Sequence, residues 1–155
     1  MKAKDLMTGP PATLDAESTV QEAAALMKEG DIGALPVYGV GNPCGIITDR
    51  DIAVNVVAAG KGVATQVGEV CTLSAITVDP DTDIDEVARQ MKTHQIRRLP
   101  VVRDGIVEGM ISLADIALAR QALGGEALSA ISQPRVSLGA ATGPIGRNPL
   151  PADLR

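Results

Sequence analysis

Two pairs of residues in this 155-residue chain place a hydroxyl three positions ahead of a carboxylate, Thr48-x-x-Asp51 and Ser112-x-x-Asp115. Each pair follows a short apolar run and precedes a stretch of helical spacing, so each stands where a strand turns into a helix. One reading is a capping box. The hydroxyl covers a free amide of the first turn and the acid reaches back to the cap residue, stabilising the helix by about 1 kcal/mol. The other reading uses the same geometry for a ligand, because a helix mouth offers unpaired N–H groups and partial positive charge to a phosphate. Spacing alone leaves both open.

Other chemistry-bearing patterns read as structure. Gly39-x-Gly41 with Gly45 lacks the spacing of a nucleotide fingerprint and joins two strands, as a hairpin turn does. Asp79, Asp81, Asp83 and Asp85 imitate a calcium loop, but Ile84 stands where that loop needs Gly and Gln90 where it needs Glu. These acids instead favour the positive end of the helix that follows, and His94 lies at its far end as a capping residue. With one histidine, no Cys-x-x-Cys between Cys44 and Cys71 and no Walker loop, neither a metal site nor a Ser-His-Asp set is expected. The cysteines read as free thiols, and the protein as a non-enzyme that requires no cofactor.

The elements that must position these residues come in two copies. Shifted by 64 positions, the chain aligns with itself without a gap. Across 13–53 against 77–117, roughly 16 of the 41 pairs are identical, where chance gives about two or three. Leu35-Pro36-Val37 meets Leu99-Pro100-Val101, and Asp51-Ile52-Ala53 meets Asp115-Ile116-Ala117. Each copy predicts a short strand (12–14; 75–78), then a helix beginning near Ser18 or Thr82, with Val20, Ala23, Ala24 and Met27, or Ile84, Val87, Ala88 and Met91, on its apolar face. A hairpin follows, turning at Gly41-Asn42-Pro43 in the first copy and at Asp104-Gly105 in the second. A closing helix spans 49–59 and 113–121.

The predicted fold class is therefore α+β, two β-α-β-β-α repeats packed about a pseudo-twofold axis, because neither half alone has enough to cover its sheet. The repeats are assigned to 1–62 and 63–123, joined by a linker at 60–66. Residues 124–155 are expected to add a short helix over 126–131 and a poorly ordered tail over 132–155.

Composition narrows the partners. The net charge of −5 opposes a nucleic-acid partner, since binding a phosphate backbone needs a basic surface. Tyr38 is the only aromatic residue, so stacking platforms for bases are missing and the core must be aliphatic. No run of 18 apolar residues occurs, and the first residues lack the apolar stretch of a signal peptide, so no membrane association is expected and a cytoplasmic location is.

With the segments Ile32-Gly33-Ala34-Leu35-Pro36-Val37, Gly45-Ile46-Ile47-Thr48-Asp49-Arg50-Asp51-Ile52, Ile96-Arg97-Arg98-Leu99-Pro100-Val101 and Gly109-Met110-Ile111-Ser112-Leu113-Ala114-Asp115-Ile116, the chain resembles the tandem CBS-domain pair, or Bateman module. It is most similar to stand-alone bacterial members, the mycobacterial hypoxic-response type among them. The resemblance implies a regulatory module that senses AMP, ADP, ATP or a related adenosyl ligand, and a homodimer formed through exposed helix faces. A protein target, unidentified, is a further implied partner. It also implies that the hydroxyls of Thr48 and Ser112 contact phosphate and that Asp51 and Asp115 hold the ribose. Ala12 and Ile76 would offer backbone to the base. Residues just before the second strand reach phosphates in the family; these are Gly33 and Ala34 in one repeat but Arg97 and Arg98 in the other. Conversely Arg50 lies inside the first motif, so the two clefts are expected to be unequal. The alternative is a ligand-free dimerisation module in which both motifs only cap helices.

Overall fold

The computed structural model describes residues 1–41 and 44–132. In chain order its elements are α1 (Ala3–Leu6), β1 (Leu14–Asp15), α2 (Val20–Gly30), β2 (Ala34–Tyr38), β3 (Gly45–Thr48) and α3 (Asp49–Ile52), which runs on as a π-helical turn, Ala53–Val57. After a 3-10 turn at Val67–Glu69 come α4 (Ile84–His94), β4 (Arg98–Arg103), β5 (Ile106–Ser112), α5 (Leu113–Ala119) and α6 (Gln121–Ile131).

The 3.6-residue apolar period of α2 and α4 buries Val20, Ala23 and Met27 in one, and Ile84, Val87, Ala88 and Met91 in the other. The cap of α2 is Thr19, next to the Ser18 near which the helix was expected to begin. Thr19 Oγ1 accepts from the Glu22 amide at 3.2 Å, while the Glu22 carboxylate accepts from the Thr19 amide at 2.6 Å. The backbone carbonyls of Ser18 and Thr82 are instead taken by the amides of Val67 and Ala3. Each half builds its own sheet, with β2 antiparallel to β3 and β4 antiparallel to β5; the pairs Leu35 with Ile47 and Leu99 with Ile111 hold the same register. The β4–β5 hairpin turns at Asp104 and Gly105, both at positive φ (52° and 79°), as a tight two-residue turn requires. Of the other predicted turn, Asn42 and Pro43 lie outside the described residues, as does the predicted tail beyond Ser132.

Three expectations need correction. The first strand of the second repeat is reduced to a single parallel bridge, Val78 with Val101, where the first repeat has the two-residue β1. Beyond that point the pairing meets Pro80, which has no amide to donate where Ala16 follows β1 in the first repeat. The predicted last helix starts at Gln121 rather than 126 and runs eleven residues, burying Ala127 in the second core. The supposed linker is also fixed at its far end, because the carbonyls of Val63 and Thr65 accept from the Gln21 and Val20 amides, two of the unpaired donors at the start of α2.

The halves exchange their leading segments. The first residues pack on the second repeat: the amides of Ala3 and Lys4 donate to the Thr82 and Pro80 carbonyls, and Thr8 pairs with Met110. Residues 65–72 do the same to the first repeat, where the amides of Val67 and Gly68 donate to Ser18 and Ala16, and Thr72 pairs with Ile46. Every one of these contacts maps onto its counterpart by the offset of 64. A division of the chain at 62/63 is thus a division along the sequence and not in space. The two aliphatic cores follow the exchange: Ala3, Leu6 and Met7 join the core of the second repeat, and Val67, Val70 and Cys71 that of the first.

Candidate functional site

Both hydroxyl–acid pairs form complete capping boxes. Thr48 Oγ1 accepts from the Asp51 amide at 3.1 Å and Asp51 Oδ2 accepts from the Thr48 amide at 2.8 Å. Ser112 Oγ accepts from the Asp115 amide at 3.3 Å, and Asp115 Oδ2 accepts from the Ser112 amide at 2.7 Å and its hydroxyl at 2.6 Å. The capping reading is therefore realised. It does not exhaust the groups, because both pairs are only partly buried and each opens into a cavity between the repeats.

The first cavity, of about 640 Å³, is lined by Thr48, Asp49, Arg50 and Asp51 from the end of β3 and the start of α3, by Thr72, Ser74 and Ile76, and by Arg97 and Arg98 from the other repeat. The second, of about 610 Å³, is lined by Ser112 and Asp115, by Thr8, Pro10 and Ala12, and by Glu29, Asp31 and Gly33 from the other repeat, with Arg98 at its edge. Thr8, Pro10, Ala12, Gly33, Ser112 and Asp115 map by the same offset onto Thr72, Ser74, Ile76, Arg97, Thr48 and Asp51. The cavities are thus two copies of one site, each completed by both repeats, and each is of a size that holds a small organic ligand.

Of the residues singled out from sequence, Thr48, Arg50, Asp51, Ile76, Arg97 and Arg98 meet in the first cavity, while Ser112, Asp115 and Ala12 meet in the second. Arg50 and the arginine pair were expected to set the two clefts against each other. The structure instead gathers all three on one cleft, because the pseudo-twofold packing brings the start of β4 against the motif of the other repeat. The first cavity then carries three guanidinium groups against Asp49 and Asp51, and the second carries Glu29, Asp31 and Asp115 against the shared Arg98. Sequence reasoning missed Glu29 and Asp31, which follow the apolar face of α2, and Ile131, which brings the end of α6 to the first cavity. It also missed Thr8 and Thr72, an identical pair just upstream of the aligned repeat. Burial pushes the thiols of Cys44 and Cys71 up, away from the reactive thiolate form.

Residues 3–58 and again 67–122 match the CBS domain. The chain belongs to the CBS-domain family. Among curated relatives of this CBS-domain pair, the CBS domain-containing protein YhcV of Bacillus subtilis is 38% identical over 135 residues, covering 86% of this chain and 96% of the relative. Hypoxic response protein 1 of Mycobacterium tuberculosis is 38% identical over 117 residues, 74% of this chain and 82% of that protein. Among solved structures, the CBS-domain pair of protein MJ0100 in complex with 5′-methylthioadenosine and S-adenosyl-L-methionine superposes with a TM-score of 0.67 at 32% identity, covering 77% of this chain and 98% of that one. The α+β fold of two packed repeats is the one these relatives share. Among the described residues no three His, Cys, Asp or Glu side chains group to hold a metal ion, and no helix is long and apolar enough to cross a membrane.

Proposed function

We propose that this CBS-domain pair is a cytoplasmic regulatory module that holds an adenine nucleotide (AMP, ADP or ATP) in the cleft of Thr48 and Asp51, and acts by binding and not by catalysis. The observation that carries this reading is the convergence of Arg50, Arg97 and Arg98 on that cleft. A protein of net charge −5 needs such local compensation to hold phosphates. The adenosyl ligands of the MJ0100 pair support the class of ligand. In the family's arrangement Thr48 meets phosphate, the Asp51 oxygen not used in capping accepts from the ribose, and Ile76 offers backbone to the base. Because both repeats wall the cleft, a ligand that favours one arrangement of the repeats shifts their packing. The shift is passed on through a homodimer joined by exposed apolar helix positions, Val54 and Val57 after α3 and Leu118 in α5, to a protein target.

Titration calorimetry and thermal melting against AMP, ADP and ATP test the reading. Nucleotide at about 100 times its Kd should add about 2.7 kcal/mol of stability. Arg97→Ala should abolish that gain and leave the ligand-free melting temperature unchanged; absence of any heat or shift with all three nucleotides refutes the proposal. The formed capping boxes favour one competing reading, a ligand-free dimerisation module. On that reading Asp51→Ala and Asp115→Ala lower the melting temperature equally with and without nucleotide.

A further inference from the structure

We infer that the two clefts take ligands of different charge, and that the Ser112/Asp115 cleft binds a phosphate-free adenosyl compound, best one with a positive charge on its 5′ side. This rests on the reading of both cavities as adenosyl sites. The cavities are near-equal in volume, about 610 and 640 Å³, and related by the internal repeat, so size does not separate their ligands. Charge does. The positions of Arg50 and Arg97 in the first cleft correspond to Ala114, which does not line the second, and to Gly33, which does; the position of Gln95 in the first corresponds to Asp31 in the second. Glu29 adds a further carboxylate at the second cleft. Gly33 sits where the two clefts adjoin: a Cβ at this position would stand 2.8 Å from Asp49 Oδ2, which lines the first cleft, and 3.5 Å from Arg98 Nη2. Among the described residues, the one cation that lines the second cleft is Arg98, which both cavities share. A phosphate entering the second cleft meets carboxylates where the first offers guanidinium groups. A sulfonium or other cationic 5′ substituent meets the reverse.

Calorimetry on the full chain with AMP, adenosine and S-adenosylmethionine as probes tests this, using the wild type, Asp51→Ala, Asp115→Ala and the double variant Glu29→Gln with Asp31→Asn. The double variant changes only exposed side chains, and Asn suits the left-handed backbone of Asp31 (φ 49°), so it keeps the test independent of folding. AMP binding should be lost in Asp51→Ala and kept in Asp115→Ala, and binding of S-adenosylmethionine should show the opposite pattern. At low salt the second cleft should prefer S-adenosylmethionine over AMP by at least about tenfold, a preference that shrinks with added salt and in the double variant. AMP filling both clefts equally, or S-adenosylmethionine surviving Asp115→Ala, overturns the inference while leaving the nucleotide module intact. Silence with all three probes removes the adenosyl reading and this assignment with it.

Discussion

At the scale of single residues, capping and ligand binding are compatible uses of the same side chains. Asp51 and Asp115 spend Oδ2 on the backbone of their cap residues, which leaves Oδ1 outside the capping box. That is why spacing alone left both readings open: both need a hydroxyl and an acid three residues apart, and a formed capping box does not exclude a ligand. A second residue-scale device is Asp81, which accepts from Lys4 Nζ at 2.6 Å and from Arg103 Nη2 at 2.7 Å. The Lys4 hydrogen bond leads in holding the Asp81 carboxyl below its ordinary value of 3.8. Since the folded value is the depressed one, the stabilisation is fully present above the unfolded value and is lost as pH falls through the folded one. Melting curves of wild type and Asp81→Asn should differ by a small, salt-sensitive amount near neutrality, as befits an exposed pair, and converge in acid. A gap unchanged at about pH 2 would contradict the assignment.

Among the elements, the strands carry a constraint the repeat alignment displays without explaining. Gly45 and Gly109 occupy equivalent positions in β3 and β5, and each lies under the segment donated by the other end of the exchange. A Cβ at Gly45 would stand 2.7 Å from the Thr72 carbonyl oxygen, and one at Gly109 would stand 2.7 Å from Met7 Sδ. Backbone cannot retreat as a thioether can. Gly45→Ala should therefore cost about 1–3 kcal/mol, with Gly109→Ala near the bottom of that range, as read from urea midpoints at constant slope. Equal costs would mean that the Thr72 pairing yields as easily as Met7. Helices α2 and α4 were legible from their apolar period, and the Asp104-Gly105 hairpin from its turn residues, whereas α1 and the start of α6 were not. The second-repeat strand at 75–78 was not, because an apolar run does not say whether its backbone will find a partner in its own repeat.

For the whole molecule, the exchange of leading segments makes each core depend on residues from the far side of the other repeat. Ala3 is fully buried in the second core although by sequence it belongs to the first repeat. The Tyr38 hydroxyl, at the end of β2, accepts from the Val107 amide of β5 at 2.9 Å, a further tie between the halves. The expected outcome is one cooperative transition. Far-UV circular dichroism, which sees both halves, and Tyr38 fluorescence, which reports the junction, should give coincident denaturation curves, and Ala3→Asp should lower both midpoints together. Two separated transitions would show that the halves fold independently.

The amino-acid order by itself determined the duplication, the type of most elements and the family; the candidate site residues it offered came from the hydroxyl–acid spacing and from the family resemblance. These are written in apolar periods, turn residues and side-chain identities, which depend on local sequence. The tertiary structure alone decided that residues 1–9 belong with the second repeat and that Arg50, Arg97 and Arg98 share a cleft. The exchange is made by backbone amides and carbonyls, which every residue type supplies and no side-chain pattern announces. The arginines, remote in sequence, become neighbours only when the pseudo-twofold packing folds one repeat against the other.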